Sequence, residues 1–199
     1  MNSLKNWAPA RKKKKVDFIK KMALKHWKTI SSEVKFKNPW WTYLVNKYLV
    51  GDGREGEYHI CHTAGSAFTV PVLSNGKLLL VNQYRYLNDR ESIEFPGGGI
   101  KEGLTSEEVS RKELIEECGM DGDFEKIGIF NPYNGVTDEI CHVYIARNLK
   151  LSAEFAKDDH EEFELVELTV SEMQAKIKSN EIYDGMTLAA WALAEKYFI

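Results

Sequence analysis

Phe95-Pro96-Gly97-Gly98-Gly99-Ile100-Lys101-Glu102-Gly103-Leu104-Thr105-Ser106-Glu107-Glu108-Val109-Ser110-Arg111-Lys112-Glu113-Leu114-Ile115-Glu116-Glu117-Cys118-Gly119-Met120 runs from a glycine-rich turn into a helix. Thr105 followed by Glu108 is a capping box and predicts the helix start. At about 100° per residue, Glu113, Glu116 and Glu117 fall within one arc. Leu114, Ile115 and Cys118 fall on the opposite side. Clustered carboxylates repel and raise one another's pKa unless a cation sits among them. Hard cations such as Mg²⁺ take oxygen ligands, commonly one or two carboxylates with water and substrate phosphate. An acidic, solvated helix face with a buried back is the competing reading of the same run. The glycines before the helix and Gly119 closing it favour a site.

These residues resemble the Nudix box: Gly, five residues, Glu, seven residues, then Arg-Glu-apolar-x-Glu-Glu-x-Gly-apolar. Gly98, Glu113, Leu114, Glu116, Glu117, Gly119 and Met120 match in register. Leu104 stands where the pattern has its first Glu, and Lys112 where it has Arg. In the family those two side chains help to orient the carboxylates, so both departures concern support rather than ligation. Their joint loss reads as one coordinated change, with Leu104 packed under the loop. Lys112 can still reach Glu116 at i+4.

Outside the box, Gln83-Tyr84-Arg85 and Glu94-Phe95-Pro96-Gly97-Gly98 are similar to the ADP-ribose pyrophosphatase branch of this family. The likeness extends from about residue 28 to the C-terminus. It implies an α+β (mixed α/β) Nudix fold, a mixed sheet sandwiched between helices with an N-terminal β-hairpin segment. It also implies Mg²⁺-dependent hydrolysis of a nucleoside diphosphate linked to a sugar, Mn²⁺ being the substitute ion. ADP-ribose comes first as substrate, giving AMP and ribose 5-phosphate; GDP-mannose and other sugar nucleotides follow. Glu113, Glu116 and Glu117 are the expected metal ligands, with the Gly97 carbonyl added by the resemblance. Arg85 suits phosphate as a fixed bidentate donor, although an ion pair is the plainer role for an arginine. Glu94 and Arg54 are further substrate-binding candidates on the same resemblance, Glu94 contacting the nucleotide or positioning the loop, with a structural salt bridge as its plainer role. Trp41, with Trp40 and Tyr43 as alternatives, can stack a base.

The general base is expected on the acidic segment Asp158-Asp159-His160-Glu161-Glu162. Glu161 is the first choice, then Glu162, then Asp159. Two other functions stay open. One is a nucleotide-sugar sensor that binds without turnover, for which Leu104 and Lys112 would be signs of decay. The other is a nucleoside triphosphate pyrophosphohydrolase, against which Gln83-Tyr84-Arg85 argues.

Length and composition allow a substantial core without disulfide staples, at 199 residues and 43% hydrophobic. Cys61, Cys118 and Cys141 lack paired ligand spacing and suit reduced thiols of a cytoplasmic protein. A net charge of −3 argues against a surface that coats nucleic acid. No stretch approaches the roughly 20 apolar residues of a membrane span. A basic run, residues 11–15, precedes amphipathic spacing over residues 16–27. Three segments follow: residues 1–27, a basic helical extension; residues 28–66, N-terminal strands; and residues 67–199, the hydrolase domain. The aromatic N-terminal strands, with Trp40, Trp41, Tyr43 and Tyr48, predict a homodimer, and the resemblance adds exchange of those strands between subunits. Turn signals place strands over residues 40–50 and 57–62. Residues 67–73 and 77–83 form a second hairpin about Ser74-Asn75-Gly76. Ser171 with Gln174 caps one late helix and Asp184 another.

Overall fold

The computed structural model describes residues 24–153 and 163–198. The chain runs β1 (Lys28–Lys37), β2 (Thr42–Leu49), β3 (Glu55–His62), β4 (Ser66–Pro71), β5 (Leu78–Arg85), β6 (Arg90–Glu94), β7 (Gly97–Gly99) and α1 (Ser106–Cys118). Then come β8 (Met120–Phe130), β9 (Cys141–Leu151), β10 (Phe163–Leu168), α2 (Val170–Lys178) and α3 (Gly185–Ala194). Three sheets result, ordered β1-β2-β3, β10-β5-β6 and β7-β4-β9-β8. Strands β4 and β9 run parallel; the other named pairs are antiparallel.

Strand β5 shows why helices must lie on both sides. Its first four residues, Leu78 to Val81, are all buried, and successive side chains of a strand point to opposite faces. Leu78 and Leu80 meet Val70, Val143 and Ile145 together with Met173 of α2 and Ala190 and Trp191 of α3. Leu79 and Val81 meet Leu114 and Cys118 of α1 and Ala146 of β9. The sandwich expected from the sequence is therefore an α+β arrangement with α1 on one side and α2 and α3 on the other.

The turn at Ser74-Asn75-Gly76 forms as expected, with Gly76 at φ +80° and Leu73 N–H donating to the Lys77 carbonyl at 2.9 Å. The hairpin does not. A single bridge, Val72 to Leu78, joins the two arms, and then they diverge. Strand β4 pairs with β7 and β9, whereas β5 pairs with β6 and β10. Both strands are interior and each takes two neighbours, so neither has an edge left for the other. Helix α2 is capped two residues earlier than expected, by Thr169 with Glu172 in a complete capping box. Strand β1 also lay outside the strands read from the sequence, and each of its ten residues is exposed. Of the N-terminal segment only residues 24–27 are described, and they are not helical. Trp27 stacks on Tyr48 with ring centroids 4.4 Å apart.

The N-terminal sheet is tied to the body through the segment between β8 and β9. Cys61 N–H donates to the Val136 carbonyl at 2.9 Å, Tyr58 Oη to the Gly135 carbonyl at 3.2 Å, and His62 Nδ1 lies 2.7 Å from Asp138 Oδ2.

Candidate active site

Helix α1 starts where its sequence requires. The Thr105 hydroxyl accepts from Glu108 N–H at 3.2 Å, and the Glu108 carboxylate accepts from Thr105 N–H at 2.7 Å. The Thr105 N–H, together with the Thr105 hydroxyl donating to Glu108 Oε2 at 2.8 Å, holds the Glu108 carboxyl below the ordinary glutamate range. Val109, Leu114 and Cys118 are buried, which fixes the rotation of the helix. The helix ends at Gly119, whose φ of +68° suits a residue without Cβ.

Beside the helix lies the short glycine strand β7, paired with β4 from Ser66 to Phe68. Gly97 N–H donates to Glu117 Oε2 at 3.2 Å. Glu113 is pressed against Gly98: a Cβ there would lie 2.3 Å from Glu113 Oε1. A Cβ on Gly97 would instead meet the Phe68 ring at 2.5 Å and the Ala67 carbonyl oxygen at 2.6 Å. Two adjacent glycines thus admit two different neighbours, the catalytic-face carboxylate of α1 and the backbone of β4.

Glu116 is paired within the helix. Lys112 Nζ lies 2.9 Å from its Oε1 and 3.1 Å from its Oε2, and this pairing raises the Lys112 pKa. Among the described residues no three His, Cys, Asp or Glu side chains are gathered closely enough to form a ready metal cage. The donors on this face are nonetheless all carboxylate oxygens, a set suited to a hard cation. Leu104 does not pack under the loop, as the sequence reading had it. It is 38% exposed, because the turn from Lys101 to Leu104, closed by a 3.1 Å backbone bond, holds the residue at the surface.

Arg85 ends β5 and Glu94 ends β6. Arg85 Nε donates to Glu94 Oε1 at 2.8 Å, and its second fork nitrogen bonds Glu94 Oε2. The Glu94 side chain is 5% exposed and that of Arg85 48%. Glu94 raises the Arg85 pKa most, and Asp184 and Glu117 add to it. Arg85 is thus an ion-pair partner of Glu94 whose charged form is also favoured by the negative charge of Glu117. Asp184, which caps α3 through a 2.7 Å bond from Thr187 N–H, was read from the sequence as a cap but not as a neighbour of Arg85.

Trp41 sits in the corner between β1 and β2, where Asn38 Oδ1 accepts from both Trp40 N–H and Trp41 N–H. It lines an open cleft of about 500 Å³ with Trp40, His62, Gly99, Lys101 and Glu139. The cleft joins the aromatic corner to the glycine loop. His62 and Glu139 were missed as cleft residues; their signal was the polar run at residues 131–139, which docks on β3. Arg54 lies at the far tip of the β2–β3 hairpin, paired with Asp52 at 2.8 Å. An eight-residue strand separates that tip from the Trp41 corner, or about 25 Å at 3.3 Å per residue, so within one chain Arg54 does not join the cleft. Asp158, Asp159, His160, Glu161 and Glu162 lie outside the described residues.

A family model for the NUDIX domain matches residues 63–188. ADP-ribose pyrophosphatase of Bacillus subtilis (strain 168) is 30% identical over 165 residues, which covers 82% of this chain and 89% of that protein. GDP-mannose pyrophosphatase of Yersinia enterocolitica (serotype O:8 / biotype 1B) is 32% identical over 178 residues, covering 80% and 90%. The crystal structure of an ADP compounds hydrolase shares the fold, with a TM-score of 0.77 at 17% identity over 88% of this chain and 96% of that one. With the glycine strand, the capped helix and its carboxylates in the register of the box, the chain belongs to the Nudix family.

Proposed function

We propose that the chain hydrolyses the diphosphate bond of a nucleoside diphosphate linked to a sugar. ADP-ribose, giving AMP and ribose 5-phosphate, is the first substrate, and GDP-mannose the second. The observation that carries this reading is the packing of Glu113 on Gly98 and Glu117 on the Gly97 N–H. Nudix proteins generally use divalent metal ions, and the all-oxygen donor set favours Mg²⁺, with Mn²⁺ as its substitute. Glu113, Glu116 and Glu117 would hold the ion, the Gly97 carbonyl adding a fourth oxygen. Held there, such an ion would supply neutralisation of diphosphate charge and activation of a water.

The protein groups around it do the rest. Arg85, its fork set by Glu94, presents a cation to a phosphate oxygen. The absence of side chains at Gly97 and Gly98 lets β4 and the Glu113 carboxylate pack directly on this backbone. Trp41 offers a stacking face at the far end of the cleft. Glu161 takes the proton from water, with Glu162 and then Asp159 as the alternatives on the same segment. Arg54 reaches substrate only by way of a second subunit, which agrees with a homodimer joined through the N-terminal sheet. A cytoplasmic setting suits the unpaired cysteines.

The test is phosphate release, after coupled phosphatase, from a panel of sugar and dinucleoside diphosphates with Mg²⁺. Glu117→Gln should lower turnover by about a hundredfold or more. Full activity in EDTA, or in that variant, refutes the metal-hydrolase reading. Tight binding of the panel without any release would establish the sensor instead. Glu161→Gln should spare substrate binding while turnover collapses; the same pattern in Glu162→Gln moves the base by one residue.

A further inference from the structure

The lysine at the family's arginine position puts a full positive charge on one of the expected metal ligands. Lys112 Nζ lies 2.9 Å from one oxygen of Glu116 and 3.1 Å from the other. Nearly equal distances place the ammonium close to the bisector of the carboxylate. A bidentate metal ion occupies that same position. The negative charge of Glu113 also favours the charged form of Lys112.

We propose that Lys112 is a built-in counter-ion that competes with the divalent metal for Glu116 and thereby sets the metal concentration at which the site fills. The inference rests on the metal-hydrolase reading above. The second departure from the box fits it. At position 104 a carboxylate could draw the ammonium away from Glu116. Leu104 offers none, and it is exposed at the surface of the loop. Both departures therefore act in one direction and leave Lys112 on the carboxylate. The side chains of Lys112 and Glu116 are 43% and 46% exposed, so the direct pair is weak and metal can displace it. What persists after displacement is the repulsion between a unit charge and a divalent ion. At about 5 Å in a water-like dielectric it amounts to a penalty on the order of tenfold in metal affinity.

The experiment is Mn²⁺ titration of the full chain without substrate, followed by electron paramagnetic resonance and calorimetry at low salt. Lys112→Gln should bind Mn²⁺ about tenfold more tightly than the wild type, and the gap should narrow as salt is added. Lys112→Arg, which keeps the charge, should stay within about twofold of wild type on the same Coulomb estimate. Leu104→Glu should tighten binding when Lys112 is present and do less in the Lys112→Gln background. Thermal melts of every variant confirm folding, and Lys112→Met serves if Lys112→Gln misfolds. Unchanged or weaker Mn²⁺ binding by both charge-removing variants overturns the proposal, since Lys112 would then hold Glu116 in place for the metal. Tighter Mn²⁺ binding without hydrolysis of any nucleotide sugar supports the counter-ion and removes the hydrolase reading alone. No Mn²⁺ binding by wild type and variants alike overturns both.

Discussion

Gly97 and Gly98 are neighbours in sequence, yet a methyl group on each has a different consequence. On Gly98 it meets the Glu113 carboxyl, the far end of a flexible side chain, at 2.3 Å to oxygen and 2.6 Å to carbon. The carboxylate can swing away, so Gly98→Ala should melt almost as wild type while turnover falls by about tenfold to a hundredfold. On Gly97 the methyl meets the Phe68 ring and the Ala67 carbonyl, part of the β4 backbone. Gly97→Ala should therefore cost about 1–3 kcal/mol in stability, as overpacking does. Urea melts and kinetics of both variants check the contrast, and a stability loss confined to Gly98→Ala would contradict it. Cys141 gives a pH dependence. Burial pushes its thiol from 9.0 up to about 12, so the native state resists forming the thiolate. That preference contributes stability below pH 9 and is withdrawn as pH rises from 9 towards 12. The urea midpoint should fall over that window, and less in Cys141→Ala. The box residues were legible because periodicity put three carboxylates within one arc and the flanking glycines put them in the register of the Nudix box. The exposure of Leu104 was not legible, because it depends on the turn from Lys101 rather than on hydrophobicity.

Helix α1 depends on its cap as much as on its buried face. Thr105→Ala removes the acceptor for Glu108 N–H and should lower stability by about 1 kcal/mol, measured by chemical denaturation. Glu108 answers from its own side. Bonds from Thr105 hold its carboxyl below the ordinary value of 4.5, so its contribution is present above that pH and is lost as pH falls. The stability of wild type should therefore decline on acidification in part through this group, and Glu108→Gln should flatten that part of the profile. The α1 cap was readable because Thr105 and Glu108 stand immediately before a long periodic segment. For α2 two competing cap pairs lay two residues apart, Thr169 with Glu172 and Ser171 with Gln174, and local sequence does not choose between them. The turn at Ser74-Asn75-Gly76 was likewise readable as a turn. Which strands its arms would pair with was not, since pairing is settled by β9 and β10, which lie far along the chain.

The N-terminal sheet keeps an apolar surface that the other described residues do not cover. Val34 is 59% exposed, Phe36 54% and Trp40 79%, and such a patch commonly marks an interface. A homodimer through β1–β3 should appear by light scattering at twice the chain mass, and Val34→Glu with Phe36→Glu should release monomer of reduced activity. A fully active wild-type monomer at every concentration would contradict it. The sequence announced that these strands are aromatic, but not the separate sheet they form or the docking of residues 131–139 upon it. The placing of β4 between β7 and β9 also governs when the site can exist at all. Ser66 of β4 meets Cys141 of β9 across 75 residues of chain, and parallel contacts of such long range form slowly. A ribosome that has delivered Gly119 has already made every glycine and carboxylate of the box. Yet the strand that supports them still has an open edge, and Ala146, part of the floor under α1, has not been made. A nascent chain arrested near residue 130 would carry the whole motif and no catalytic site.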